Sequence, residues 1–193
     1  AFSRSGGEIV GRESYTAREA DFSGILAKVA EARPDVVYLP DYYNIVNVVS
    51  RQARQRGITA RFLGGDGWDS ADLDTQAARG SYFTGHYAAD NPAADALRFR
   101  KAYGGRFTDA KGRPPVPDVL AAYAYDAVNL LLQAIAGAGV DDPQAVAAVL
   151  SRMSYSGPSG RISGFDEQHN PVKSCLVLAV GESGARYEAT IDP

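Results

Sequence analysis

The stretch Phe62-Leu63-Gly64-Gly65-Asp66-Gly67-Trp68-Asp69-Ser70 sets two carboxylates and the only tryptophan of the chain among three glycines. A carboxylate beside aromatic surface suits a small cationic group, such as an α-ammonium, which it would hold by a charge-assisted hydrogen bond. Aromatic side chains add apolar walls with polar tips, and glycine lets the backbone approach a ligand closely. Tyr15, Tyr42 and Tyr43 are the further candidates for such walls, with Asp66 and Trp68 at the centre. Plainer readings of the same residues stay open. Asp66 is a common turn residue, and Asp69 or Ser70 suits the N-cap of a following helix. Trp68 suits a core position, and one of Tyr42 and Tyr43 begins an apolar helix face. A third chemistry, hydrolysis by paired carboxylates at Asp66 and Asp69, has only their proximity in its favour.

Other chemistry is sparse. No G-x-S-x-G elbow, P-loop or G-x-G-x-x-G occurs, and the carboxylates at 66, 69, 72 and 74 do not match a calcium loop. The two histidines, His86 and His169, lie far apart and show no metal-ligand spacing. His86 reads as a strand-end residue rather than a catalyst. The single cysteine, Cys175, cannot close an internal disulfide, and its apolar neighbours predict a buried structural thiol. No cofactor and no metal is therefore expected. A net charge of −3 without a basic cluster argues against a nucleic-acid partner. No apolar run is read as approaching the ~18 residues of a membrane span. The first residues lack the charged and apolar regions of a signal peptide.

The elements that would position these residues follow from periodicity. A strand is expected over 7–16. Asp21 reads as an N-cap, with Phe22, Ile25, Leu26, Val29 and Ala30 on one helix face. Residues 36–39 form a continuous apolar run, as in a parallel strand covered on both faces. Tyr42, Ile45, Val46, Val49 and Ala53 mark a second helix, ended by Gly57. A strand follows over 61–64, a short helix over 71–78, and another strand over 81–87. The second half predicts a helix over 93–103 stopped by Gly104-Gly105, then a proline-rich linker. A long helix over 119–136 has Leu120, Tyr123, Ala127, Leu130, Leu131 and Ala134 on one stripe, and a shorter helix begins at Asp141-Asp142-Pro143. Strands over 160–163, 172–180 and 185–191 complete the chain. Strand–helix alternation means an α/β fold with a mostly parallel, helix-flanked sheet. In such a sheet ligands bind beyond the carboxyl ends of the strands. That rule selects Tyr15, Tyr42-Tyr43 and Asp66-Trp68 on one edge.

The ordered segments DFSGILAKV, RPDVVYLPDYYNIVNVVSRQARQRGI, ARFLGGDGWDS and ARGSYFTGHY, with the later AYAYDAVNLLLQAI and SGPSGRISGFDEQHNPVKSCLVLAV, resemble branched-chain amino-acid binding proteins. These are extracytoplasmic solute receptors of ABC importers with the type I periplasmic-binding-protein fold, in which two α/β lobes close on a ligand. The resemblance covers the second lobe and the C-terminal part. It implies that residues 1–115 and 158–193 build lobe two, while helices in 116–157 return to a first lobe whose sheet is absent. The chain would then be a fragment, and the helix at 119–136 would lack its partner surface. The resemblance further implies that Tyr42 lies beside a bound amino acid and that Asp66 takes its α-ammonium, with Trp68 as cover. A periplasmic or other extracytoplasmic location and a membrane permease as partner are implied with it. A sensory ligand-binding domain of the same fold is the alternative.

Overall fold

The computed structural model describes residues 2–16 and 18–193. Its helices are α1 (Ser23–Ala32), α2 (Tyr43–Gln55), α3 (Ala94–Arg106), α4 (Val119–Ala138) and α5 (Pro143–Leu150). Its strands are β1 (Val36–Tyr38), β2 (Arg61–Gly64), β3 (Tyr82–Gly85), β4 (Tyr155–Gly157), β5 (Gly160–Phe165), β6 (Pro171–Lys173), β7 (Cys175–Gly181) and β8 (Gly184–Ile191). A five-stranded sheet has the order β1-β2-β3-β7-β8, and β4-β5-β6 form a second, antiparallel sheet. β1, β2 and β3 run parallel, with Tyr38 opposite Leu63 and Leu63 opposite Tyr82. The expected α/β class with a helix-flanked sheet is what the structure shows. The chain divides into two compact units, Ala1–Phe83 with Val180–Gly184, and Thr84–Ala179 with Ala185–Pro193.

In the first unit, Phe22, Leu26, Val46, Val49, Ala53, Phe62, Trp68 and Phe83 form the buried apolar set. α2 supplies Val46, Val49 and Ala53 at the helical spacing that the sequence predicts. The N-cap of α1 is Phe22, not the expected Asp21, and it makes no side-chain cap bond; Asp21, one residue earlier, accepts the Ser23 N–H on Oδ1 at 2.9 Å. Three further expectations need correction. Residues 7–16 form no strand, and no ladder joins them to a neighbour among the described residues. A strand needs a partner to take its backbone groups, and Ile9 and Val10 are left exposed. β1 is not covered on both faces: it stands at the edge of the sheet, and Tyr38 is 67 % exposed. Residues 71–78 form turns instead of a helix. Side chains there take the backbone groups that a helix would use. Asn47 Oδ1 accepts from Asp74 N, Asn47 Nδ2 donates to Asp72 O, and Asp74 Oδ1 accepts from Ala77 N.

In the second unit, α3 continues through Gly104 and Gly105 to Arg106, past the predicted stop. Phe99, Tyr103 and Phe107 explain the run: spaced four apart, their ring centroids lie 5.8 and 4.7 Å from one another along one face. α4 buries Ala122 and Asp126, which lie off the predicted stripe, and of that stripe buries only Ala134, while Leu120 is 70 % exposed. Ala122 is small enough to pack into the cluster of Tyr87, Ala96 and Phe99, and the bulky side chains face outward. α4 is long and apolar enough to cross a membrane by length and composition, which corrects the sequence expectation. α5 starts as expected, with Asp142 Oδ1 accepting from Ala145 N and Pro143 in the first turn. The predicted strand over 172–180 is broken at Ser174, whose hydroxyl accepts from Arg161 N while its own N–H donates to Arg161 O. Cys175 is half-buried, not fully buried.

Candidate functional site

The site is assembled at the carboxyl ends of β1 and β2, within the first unit. Beyond β1, Leu39 N donates to Leu63 O at 2.8 Å, extending the parallel ladder by one step. The chain then turns through Pro40-Asp41 into α2. Tyr42 is the N-cap residue of α2, in extended conformation, and its carbonyl accepts from Ile45 and Val46. Beyond β2, Asp66–Trp68 make one turn of 3-10 helix, closed by Trp68 N to Gly65 O and Asp69 N to Asp66 O.

The glycines around Asp66 have separate tasks. A Cβ at Gly64 would fall inside the Trp68 indole, so only glycine lets the ring lie on the strand. A Cβ at Gly67 would stand 2.9 Å from Asp41 O and 3.3 Å from Tyr42 Cα and Cδ1. Gly67 therefore marks the point where the two strand-end loops touch. Gly65 has open space around its Cβ direction.

Trp68 is fully buried, with 0 % exposure. Its Nε1–H donates to Leu39 O at 3.1 Å, and its ring lies 6.0 Å from that of Phe83. The indole thus lies beneath the turn, linking the end of β2 to the end of β1. Asp66 is exposed at the start of the same turn, and among the described residues no hydrogen bond or ion pair ties its carboxylate. Tyr42 is 69 % exposed, and Tyr43 is half-buried in the first turn of α2. Tyr15 is half-buried, its ring packing edge-on against Phe22 at 5.1 Å. Its hydroxyl donates to Asp41 Oδ2 at 2.8 Å. Burial, and then the Asp41 carboxylate, push the Tyr15 phenol well above its ordinary range, so it remains a neutral donor.

The structure thus joins Tyr15, Asp41 and Tyr42 by hydrogen bonds, and Tyr42 to the Asp66 turn through Gly67. Trp68 belongs to the same loop but from its buried side. Asp41 is the residue that sequence reasoning passed over. Its place shortly after a parallel strand, before Tyr42, is the available signal. Asp69 is exposed on the same turn. His86 directly follows β3 in the second unit, with Nδ1 3.4 Å from Lys173 Nζ. No set of three His, Cys, Asp or Glu side chains suited to a metal occurs among the described residues. Two cavities, of about 340 and 170 Å³, lie in the second unit, against α4–α5 and between α3, α4 and β4. At the strand-end site, Tyr42 and Asp66 are exposed.

The periplasmic binding protein family matches residues 1–185. The leucine-, isoleucine-, valine-, threonine- and alanine-binding protein of Pseudomonas aeruginosa is 31 % identical over 156 residues, which cover 81 % of this chain and 40 % of that protein. Leu/Ile/Val-binding protein homolog 1 of Brucella suis is 32 % identical over 180 residues, 90 % of this chain and 45 % of its own length. Among solved structures, a leucine-binding protein from Thermotoga maritima superposes with a TM-score of 0.82 at 32 % identity, covering 100 % of this chain and 54 % of that one. An isoleucine complex of a branched-chain amino-acid transporter substrate-binding protein from Streptococcus pneumoniae superposes with a TM-score of 0.73 at 28 % identity, covering 97 % of this chain and 53 % of that one. The chain therefore spans about half the length of the relatives it matches. With a match along nearly all its length, and the helix-flanked parallel strands that carry it, this chain belongs to the periplasmic binding protein family.

Proposed function

We propose that the chain is the ligand-binding half of a solute receptor that captures a small amino acid for an ABC importer. The observation that carries this is the exposed Asp66 carboxylate, set beside Tyr42 by the Gly67 contact. A carboxylate without a protein partner, next to an exposed aromatic ring, is built to take a cation from outside. An α-ammonium fits it in size and charge. The Pseudomonas relative is named for binding leucine, isoleucine, valine, threonine and alanine, and the Streptococcus structure holds isoleucine. Asp66 would hold the ammonium, and Tyr42 with Tyr43 would border the ligand. Trp68, fully buried, would not cover the ligand as the resemblance implies but would hold the turn from beneath. The role is binding, without catalysis, in the periplasm or an equivalent extracytoplasmic space, with a membrane permease receiving the ligand.

Two surfaces support a larger receptor. The outer face of β1 and β2 exposes Val36, Tyr38 and Leu63, and α4 exposes Leu120, Val128, Leu131 and Leu132. Apolar area on this scale is ordinarily covered. We assign residues 1–115 and 158–193 to one lobe and the helices of 116–157 to contacts with a first lobe. Capture would follow from closure of the two lobes around the ligand.

The test is a titration of the chain with L-leucine, L-isoleucine and L-valine, followed by Trp68 fluorescence and backbone amide shifts. Saturable changes around Tyr42 and Gly67, lost in Asp66→Ala, are expected. A response that survives Asp66→Ala would place the ligand elsewhere.

A further inference from the structure

Tyr15 belongs to no strand or helix and stands 26 positions before Asp41, yet its hydroxyl meets Asp41 Oδ2 at 2.8 Å. The other oxygen, Asp41 Oδ1, accepts the backbone N–H of Tyr42 at 2.7 Å. With both oxygens engaged, the Asp41 carboxylate cannot swing toward a ligand without breaking a bond. It is poorly placed as a ligand acceptor and well placed as a brace. Its negative charge, one residue before the N-cap of α2, is also favourable to the helix dipole.

We propose that Tyr15 and Asp41 are positioning residues, in which Tyr15 orients the Asp41 carboxylate and Asp41, through the Tyr42 N–H, fixes the Tyr42 ring beside Asp66. The assignment rests on Asp66 and Tyr42 being the ligand contacts. It moves Tyr15 from the wall of the site to its support and adds Asp41. Three separate segments meet in this brace: the irregular stretch at Tyr15, the β1–α2 loop, and the 3-10 turn that reaches Tyr42 through Gly67. The edge-on Phe22 ring holds Tyr15 from behind. The Tyr15 phenol stays protonated across the physiological range, so the donor is always present. A brace of this kind lowers the cost of ordering the contact residue when ligand arrives.

The test uses the isotope-labelled chain and two readouts. Tyr15→Phe removes the hydroxyl and keeps the ring on Phe22. Without ligand, the Tyr42 amide should shift and exchange with solvent several-fold faster, while the Trp68 indole proton stays in place. A Tyr42 amide unchanged in both respects would overturn the brace. The second readout is titration with L-leucine in wild type, Tyr15→Phe, Asp41→Asn and the double variant. Tyr15→Phe should weaken binding by about three- to tenfold, the net scale of one ordinary hydrogen bond, because the loss reaches the ligand only through Asp41. Because Tyr15 acts through Asp41, the double variant should bind no more weakly than Asp41→Asn. Additive losses would instead make Tyr15 an independent contact and sink the proposal. If wild type fails to respond to L-leucine, the amino-acid assignment fails, and the amide measurement still decides the brace.

Discussion

The indole Nε1–H of Trp68 donates to the carbonyl oxygen of Leu39 at 3.1 Å, so the ring beneath the Asp66 turn is pinned to the end of the adjacent strand. This one contact ties the two strand-end loops together from below, as Gly67 does from above. Trp68→Phe should therefore both loosen the site and destabilise the protein, by about 1–3 kcal/mol from lost indole volume and a lost hydrogen bond. Urea denaturation followed by circular dichroism measures it. An unchanged midpoint would mean that the indole adds nothing beyond a phenyl ring.

The glycines of the loop should differ sharply in tolerance. Gly64→Ala drives a methyl into the indole and should cost about 1–3 kcal/mol, as overpacking does in a filled core. Gly65→Ala meets open space at a φ of −102° and should be within about 0.5 kcal/mol of wild type. Thermal melts of the two variants compare them directly, and equal losses would contradict the packing described.

Asp126 is the one charged residue of α4, and it is buried. Its oxygens accept from Tyr155 Oη and from Ser159 N, each at 2.9 Å. Asp126→Ala would leave both donors unsatisfied, and a loss of about 2–4 kcal/mol is expected. A variant as stable as wild type in urea would show that water replaces the carboxylate freely.

Asp74 sets a pH dependence. The Ala77 N–H, and after it Arg51, hold its carboxyl below the ordinary value. A depressed folded-state pKa adds stability above the unfolded pKa, and that stability is lost as pH falls through the folded pKa. Asp74→Asn should be less stable than wild type at pH 7, and the difference should close as pH falls below the ordinary carboxylate range. Denaturation at pH 7, 5 and 3 gives the comparison. A gap that stays constant would assign the loss to packing instead of charge.

The outward face of α4 should make the chain associate with itself when no other surface covers it. Light scattering across a concentration series should show mass above that of one chain, reduced in Val128→Glu/Leu132→Glu. A single monomeric mass at all concentrations would show that this face is tolerated in water.

Much of the fold was legible because the apolar spacing of its helices is strong. The set Val46, Val49 and Ala53 and the helix start at Asp141-Asp142-Pro143 were readable from residue types alone, and so were the strand-end positions of Tyr42 and Asp66. Where the sequence misleads, local pattern and partner conflict. Residues 7–16 carry the pattern of a strand but, among the described residues, have no neighbouring strand to take their backbone hydrogen bonds. The aspartates and alanines of 71–78 suit a helix, until Asn47 and Arg51 offer their backbone and carboxylates better partners. Gly104 and Gly105 should stop α3, but the ring contacts of Tyr103 with Phe99 and Phe107 carry it past them.

By itself, then, the sequence determined the class of fold, the edge of the sheet that bears the proposed site and the residue types placed there, because these depend on periodicity and on chain connectivity. Only the tertiary structure decided which side of the loop Trp68 occupies, that Asp41 is held by Tyr15, and which face of α4 is buried. Those depend on which groups meet across long separations in sequence, and no local spacing encodes that.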